Sequence, residues 1–261
     1  MGELKALLWD VDGTLAESER DGHRVAFNQA FEASDLPWRW DEGRYGELLC
    51  ITGGRERLLH DMRTRLEAPV MPAEREALAA AIHRRKNAFY AALVRGGGIP
   101  LRDGVAELMK QCVAGGVRMG IATTTSRSNV DALLRFHLGE RWADSFAVVV
   151  CGEDVQRKKP DPEVYLQALG ALGIGALEAV AIEDSPGGVS AACAAGIPAV
   201  VTRSAYFGSA TIEGAIAIGP GLHTRQGWRP ALDAPASEVR GIGLDDIVGW
   251  LAQRDTVSQY A

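Results

Sequence analysis

Two acids separated by a single valine, Asp10 and Asp12, close the short apolar run Ala6-Leu7-Leu8-Trp9 and precede Gly13 and Thr14. An acid after a strand is ordinarily a turn or helix-cap residue. Here the run before the acids suits a strand buried on both faces. Residues two apart in a strand point the same way. Asp10 and Asp12 then face one point just beyond the strand's carboxyl end, where open parallel sheets place their ligands. Carboxylates held together repel and need a cation, a shared proton or solvent. The chemistry this pair suits is metal-assisted phosphoryl transfer, with Asp10 as nucleophile.

Three later groups supply what such a site needs. Thr123, Thr124 and Thr125 follow the apolar run Met119-Gly120-Ile121-Ala122. A hydroxyl there can donate to a phosphate oxygen with a helix N-terminus behind it, or one of residues 125–128 can simply cap that helix. Lys158-Lys159-Pro160-Asp161-Pro162 places a lysine before a stiff residue, and Pro162 capped by Asp161 reads as a helix start. A lysine offers a compact positive charge for a phosphate; two solvated lysines are the plainer alternative. Glu183-Asp184-Ser185 puts acids at the end of a third apolar run, Val180-Ala181-Ile182, unless they merely cap a helix. A few carboxylate oxygens completed by water are what Mg²⁺ prefers.

The elements that must position these residues follow from hydrophobic periodicity. From Leu101 onward helices alternate with strands. Helices are expected at 103–114, 129–136, 162–172, 188–195 and 244–252, and strands at 117–122, 146–150, 179–182, 198–201 and, more briefly, 215–218. This alternation predicts an α/β fold with a doubly wound parallel sheet. Between Ala16 and Ile99 no second buried strand is visible. Apolar residues there recur at helical spacing (Val25, Ala26, Ala30, Phe31; Leu58, Leu59, Met62; Leu78, Ala81, Ile82, Phe89, Leu93). Pro69 and Pro72 break that stretch, and Gly96-Gly97-Gly98 ends it. The expected organisation is a core of residues 1–16 and 99–261, with an α-helical cap domain of residues 17–98 spliced in above the strand ends. A domain so placed can open, admit substrate and close to exclude water.

The set Asp10-Val11-Asp12-Gly13-Thr14, Thr123, Lys159-Pro160 and Glu183-Asp184-Ser185, in that order, resembles the four motifs of the haloacid dehalogenase superfamily. The resemblance spans nearly the whole chain. It implies a Rossmann-like core, Mg²⁺ as cofactor and an aspartyl-phosphate intermediate. Asp10 would attack phosphorus, and Asp12 would protonate the leaving oxygen and then activate water. Thr123 and Lys159, with Thr124 and Arg127 as further candidates, would hold the phosphoryl group. Asp10, the carbonyl of Asp12, Asp184 and Glu183 would hold the metal, Glu183 directly or through water.

The cap sequence 16–28, with Thr52-Gly53-Gly54-Arg55-Glu56-Arg57 and Arg84-Arg85-Lys86-Asn87, resembles the CbbY group. That group is similar to β-phosphoglucomutase, and its characterised members are phosphatases of xylulose-1,5-bisphosphate, a by-product that inhibits the carbon-fixing enzyme of the Calvin cycle. Under this resemblance Arg55 and Lys86 bind a second phosphate, and Glu17 and His23 meet sugar hydroxyls. Three of these have an ordinary alternative: a cap or ion pair for Arg55, a solvated helix face for Lys86, packing for His23. A phosphosugar mutase would use the same core residues, and a regulator that only binds metabolites would be expected to have lost at least one of them.

Composition narrows the partners. The 261 residues are 47% hydrophobic and 24% charged, with a formal net charge of −6. That balance argues against non-specific binding to nucleic acid or an anionic membrane. No apolar run approaches the length of a membrane span, and no signal-peptide pattern opens the chain. The expected protein is a cytoplasmic monomer acting on a small phosphorylated sugar. Cys50, Cys112, Cys151 and Cys193 are widely spaced, which points to reduced, packed thiols. The Gly- and Pro-rich stretch 206–235 carries no legible function, and Trp228 and His223 within it read as packing and surface residues.

Overall fold

The computed structural model describes residues 3–232 and 241–258. The N-terminal apolar run is strand β1 (Ala6–Trp9), buried throughout. Four helices of the inserted block follow: α1 (Arg24–Glu32), α2 (Glu42–Leu48), α3 (Gly54–Asp61) and α4 (Pro72–Arg95). Then come α5 (Val105–Ala114), β2 (Arg118–Ala122), α6 (Arg127–Leu138), β3 (Val148–Val150), α7 (Glu163–Leu172), β4 (Ala179–Glu183) and α8 (Pro186–Ala194). The chain closes with β5 (Ala199–Thr202), β6 (Ala217–Gly219) and α9 (Leu244–Ser258).

The strands form one parallel sheet in the order β3-β2-β1-β4-β5-β6. This is the doubly wound, Rossmann-like arrangement that the alternation predicts. β1 lies at the centre, with Trp9 level with Ile121 on one side and Ile182 on the other. The two-residue period divides its side chains between two cores. Leu7 and Trp9 pack with Leu108, Val130 and Trp250; Ala6 and Leu8 pack with Val164, Tyr165 and Val189.

The helical block has a core of its own. Phe27, Phe31, Trp38, Trp40, Tyr45 and Leu58 are buried together, with Phe31 edge-on to Trp40 at 5.0 Å and to Trp38 at 5.7 Å. Helix α2 had no periodic signal, because only Tyr45 and Leu48 of its seven residues are buried. Its start was written locally all the same: the Asp41 carboxylate accepts from the Arg44 N–H at 2.7 Å. Pro72 does not merely interrupt the block; it opens α4, where its missing N–H is harmless. The outgoing and returning chains meet at one place. Ala16 pairs antiparallel with Leu101, and the Arg102 N–H donates to the Leu15 carbonyl at 2.8 Å.

Two sequence readings change here. Cys112 and Cys151 are buried, but Cys50 and Cys193 are exposed rather than packed. The final helix is longer than expected, running from Leu244 to Ser258. Trp228 packs as read, stacked on Trp250 at 4.7 Å, and His223 lies on the surface; residues 233–235 of the Gly- and Pro-rich stretch fall outside the described residues.

Because Phe31 is fully buried between two indoles, Phe31→Ala is expected to cost roughly 3–5 kcal/mol. Urea denaturation followed by tryptophan fluorescence measures this, and a loss under about 1 kcal/mol would mean that the cluster repacks around the cavity.

Candidate active site

The sheet brings the motif residues to one edge. The Asp10 N–H still donates to the Ile182 carbonyl, at 3.0 Å, so the ladder continues one residue past β1. Its carboxylate therefore stands beside Glu183 and Asp184 at the end of β4. One oxygen from each of these three buried acids lies within 4.8 Å of the others.

Lys159 reaches into this cluster from the loop before α7. Its ammonium donates to Asp10 Oδ1 at 2.8 Å, to Glu183 Oε1 at 2.6 Å and to the Ala122 carbonyl at 2.8 Å. The Tyr165 hydroxyl donates to the same Glu183 oxygen at 2.6 Å. Lys158 turns the other way and pairs with Glu56 of the helical block at 2.7 Å. The start of α7 is capped as read, the Asp161 carboxylate accepting from the Glu163 N–H at 3.0 Å, and this fixes the loop that carries Lys159. Two glycines make room for the acids. A Cβ at Gly13 would sit 2.1 Å from Asp184 Oδ2, and one at Gly188 would sit 2.0 Å from Glu183 Oε2. Ser185 caps α8 by accepting from the Gly188 N–H, so this motif both caps a helix and delivers acids.

The electrostatics follow from burial. Burial raises Asp10, Lys159 opposes it and Glu183 adds to it; the outcome is about 7 instead of 3.8. Burial, Asp10 and Glu183 together push Asp184 well above the ordinary carboxylate range. For Lys159 burial works downward, but Asp10 and Glu183 outweigh it, and the ammonium is held above its usual range. Three carboxylates against one ammonium leave two uncompensated negative charges if all ionise. A divalent cation offsets them, so the donor set fits Mg²⁺: hard oxygen ligands, incomplete by themselves.

Asp12 lies outside this cluster. Its Oδ1 accepts from the Ser18 hydroxyl at 2.5 Å and contacts His23 Nε2 at 2.9 Å. Burial works to raise it, but His23, Ser18 and Lys86 outweigh that and hold it below the usual carboxylate range. His23 stacks on Tyr90 at 4.3 Å. So the sequence candidate for a sugar hydroxyl is here a partner of the second acid.

A cavity of about 710 Å³ opens above these groups. The core contributes Asp10, Asp12, Thr123, Thr124, Lys159 and Asp184; the helical block contributes Glu19, His23, Arg55, Arg57 and Lys86. Lys86 is not on a solvated face. It is buried with its ammonium over the rings of Phe27 and Tyr90, and burial pulls it down to about 8 against Asp12 and Glu19. Arg55 stands half exposed at the rim, paired with Glu76.

Two candidates are corrected. Arg127 does not line the cavity: its guanidinium bonds the Val149 carbonyl and Asp154 on the exposed side of α6. Its N–H is taken by Glu153 at 3.0 Å, so that carboxylate, rather than a hydroxyl of residues 125–128, covers the helix N-terminus. Glu17 also lies off the cavity, 3.5 Å from Arg102 Nε and accepting from the Ala205 N–H at 3.2 Å. Glu19, two residues on, is the acid that reaches the cavity. Its carboxylate accepts from the Tyr45 hydroxyl at 2.5 Å, and Arg57 donates to that hydroxyl at 2.8 Å. Sequence reasoning missed Glu19, Ser18 and Tyr165. The wide helical turn over Glu19–His23 shifts which residues face inward, and Tyr165 reads as one more apolar position of α7.

The buried Lys159 ammonium, the Asp10 carboxylate beside it, a second acid at Asp12 and a carboxylate cluster fit for a divalent cation suit a phosphoryl-transfer site. A family model described as haloacid dehalogenase-like hydrolase matches residues 4–196. The protein CbbY of Cupriavidus necator is 42% identical, over 84% of this chain and 86% of its own length. The protein CbbY of Rhodobacter capsulatus is 43% identical, over 78% and 87%. A crystal structure of a CbbY mutant from Rhodobacter sphaeroides in complex with xylulose-(1,5)bisphosphate is 40% identical, with a TM-score of 0.76 and coverage of 81% and 92%. The chain belongs to the haloacid dehalogenase-like hydrolases. Within that family it is a phosphatase of the CbbY type.

The raised acids set a pH dependence. Between 3.8 and about 7 the folded protein keeps a proton on Asp10 that the unfolded chain has released. Without a cation, this group therefore makes stability fall as pH rises through that window. Cation binding displaces the proton, so MgCl2 is expected to raise the unfolding temperature more at about pH 8 than at about pH 5. Differential scanning fluorimetry with and without MgCl2 checks this; equal shifts at the two pH values would contradict it.

Proposed function

We propose that this chain is an Mg²⁺-dependent phosphatase of a small phosphorylated sugar, removing the 1-phosphate of xylulose-1,5-bisphosphate through an aspartyl-phosphate on Asp10. The observation that carries the reading is the placement of Asp10 against the Lys159 ammonium, at the floor of a cavity that also holds Asp12. The crystal structure of a 40% identical CbbY mutant with xylulose-(1,5)bisphosphate supports the substrate.

Asp10, the carbonyl of Asp12, Asp184 and Glu183 would hold the ion, which supplies positive charge against the phosphoryl oxygens. Lys159 and the Thr123 hydroxyl take the remaining phosphoryl oxygens. Asp10 attacks phosphorus as the bond to the sugar oxygen breaks, and that oxygen takes a proton from Asp12. A water then attacks the aspartyl-phosphate, Asp12 accepts its proton, and phosphate leaves. The contacts that hold Asp12 as a carboxylate suit the second half of the cycle. For the first half Asp12 must first gain a proton, which water in the cavity it lines can supply. Arg55 and Lys86 provide positive charge for the second phosphate on the helical side. Residues 17–98 act as a cap that closes over this chemistry, and Glu19 replaces Glu17 as the acceptor for a sugar hydroxyl. The protein works in the cytoplasm.

The test is an assay of free phosphate and of isomerised sugar phosphate over a panel of sugar mono- and bisphosphates with MgCl2. Phosphate release from xylulose-1,5-bisphosphate with ribulose-1,5-bisphosphate spared is expected; equal rates on both would overturn the substrate, and isomer without phosphate would indicate a mutase. Asp10→Asn is expected to lower phosphate release by about three orders of magnitude or more while leaving the protein folded. An active Asp10→Asn enzyme would sink the covalent mechanism.

A further inference from the structure

Arg102 follows Leu101, where the chain returning from the helical block pairs with Ala16, and its guanidinium is taken up by partners within the protein. Nη1 donates to the Gly13 carbonyl, to the Thr202 carbonyl at 3.1 Å and to Thr202 Oγ1 at 2.8 Å. Nη2 donates to the Arg203 carbonyl at 2.6 Å and lies 3.5 Å from the Pro220 carbonyl. Nε lies 3.5 Å from Glu17 Oε1, on the outgoing chain. Arg102 therefore joins four separate segments.

Two of those segments enclose Asp184. Gly13 lies so close to its carboxylate that no side chain would fit between them. On the other side, Ser204, next to Arg203, lies beside Asp184 and Gly13. Glu17 ties the same loop a second time through the Ala205 N–H at 3.2 Å. A flat, five-donor group can hold several carbonyls in fixed directions, whereas a lysine ammonium is a point charge on a flexible stem.

We infer that Arg102 is a positioning residue for the carboxylate cluster: it fixes the loop after β1 and the loop after β5 on either side of Asp184, and Glu17 anchors it to the base of the helical block. The inference rests on the proposed Mg²⁺ site. It gives Glu17 a role through Arg102 in place of contact with substrate. It also makes the spacing of Asp184 from Asp10 depend on the two chains that carry the cap.

The test is isothermal titration calorimetry of MgCl2 into the substrate-free protein, alongside thermal unfolding. Removing the outer partners of metal ligands commonly costs about 10–100-fold in affinity. Arg102→Lys is expected to stay folded and to bind Mg²⁺ about tenfold or more weakly, with saturating MgCl2 restoring kcat. Glu17→Ala is expected to shift affinity in the same direction by a smaller factor, about threefold. Folded Arg102→Lys that binds Mg²⁺ within about twofold of the parent would overturn the inference. If Arg102→Lys does not fold, Glu17→Ala decides alone, and unchanged affinity in it would overturn the inference as well. A parent protein that binds no Mg²⁺ would instead overturn the metal site, so the two failures are distinct.

Discussion

The ammonium of Lys159 between Asp10 and Glu183 is the interaction on which the rest of the structure depends. Two unit charges about 4 Å apart interact by about 4 kcal/mol at an effective dielectric near 20. Three carboxylates within 4.8 Å of one another carry two more negative charges, if all ionise, than that one ammonium cancels. The cluster is tolerable only with protons or a cation on it. Asp10 and Asp184 are both raised, first by burial and then by the neighbouring acids. Catalytic sites store this kind of tension because a substrate or ion relieves it. The same imbalance would attract a metal ion, and in the proposed reaction the ion, with Lys159, would attract a phosphate.

The two acids of the opening motif are separated by environment rather than by type. Asp10 meets a lysine, other acids and a buried strand end. Asp12, two residues on, meets a serine and a histidine from the helical block. Lysine and carboxylates keep Asp10 beside the position where a phosphoryl group would sit. The histidine and serine tie Asp12 to the wall that would face the leaving group. In the proposed reaction, one protein surface would thereby offer a nucleophile and an acid–base residue without needing different side chains. Since Ser18 and His23 come from the inserted segment, the state of Asp12 depends on where that segment sits, whereas the charged partners of Asp10 come from the core.

The central position of β1 explains why so little of the chain is needed for the chemistry. β2 and β4 flank it, and β4 ends in Glu183 and Asp184 while β2 ends in Thr123. Three neighbouring strand ends thus carry most of the reactive groups on rigid backbone, and Lys159 enters from a loop stiffened by Pro160 and by the Asp161 cap. The helical block adds shape and charge. Its aromatic cluster holds α1, α2 and α3 together, and Lys86 and Arg57 are buried among those rings with their charges turned to the cavity.

The sequence by itself determined the strand-and-helix alternation, the insertion and the residues at the strand ends. Those features are local: a buried strand is an unbroken apolar run, and its last residues must lie at the sheet edge. Even the choice between Lys158 and Lys159 was legible from the proline beside it. The tertiary structure alone decided the neighbours. It turned Glu17 toward Arg102 and Glu19 toward the cavity, because the helical turn at 19–23 is wider than ordinary spacing assumes. It turned Arg127 to Asp154, made Glu153 the cap of α6 and gave His23 to Asp12. Arg102 was invisible in the sequence for the same reason. Its partners Gly13, Thr202 and Arg203 are about ninety to a hundred residues away, and only the closing of the sheet brings them to one guanidinium.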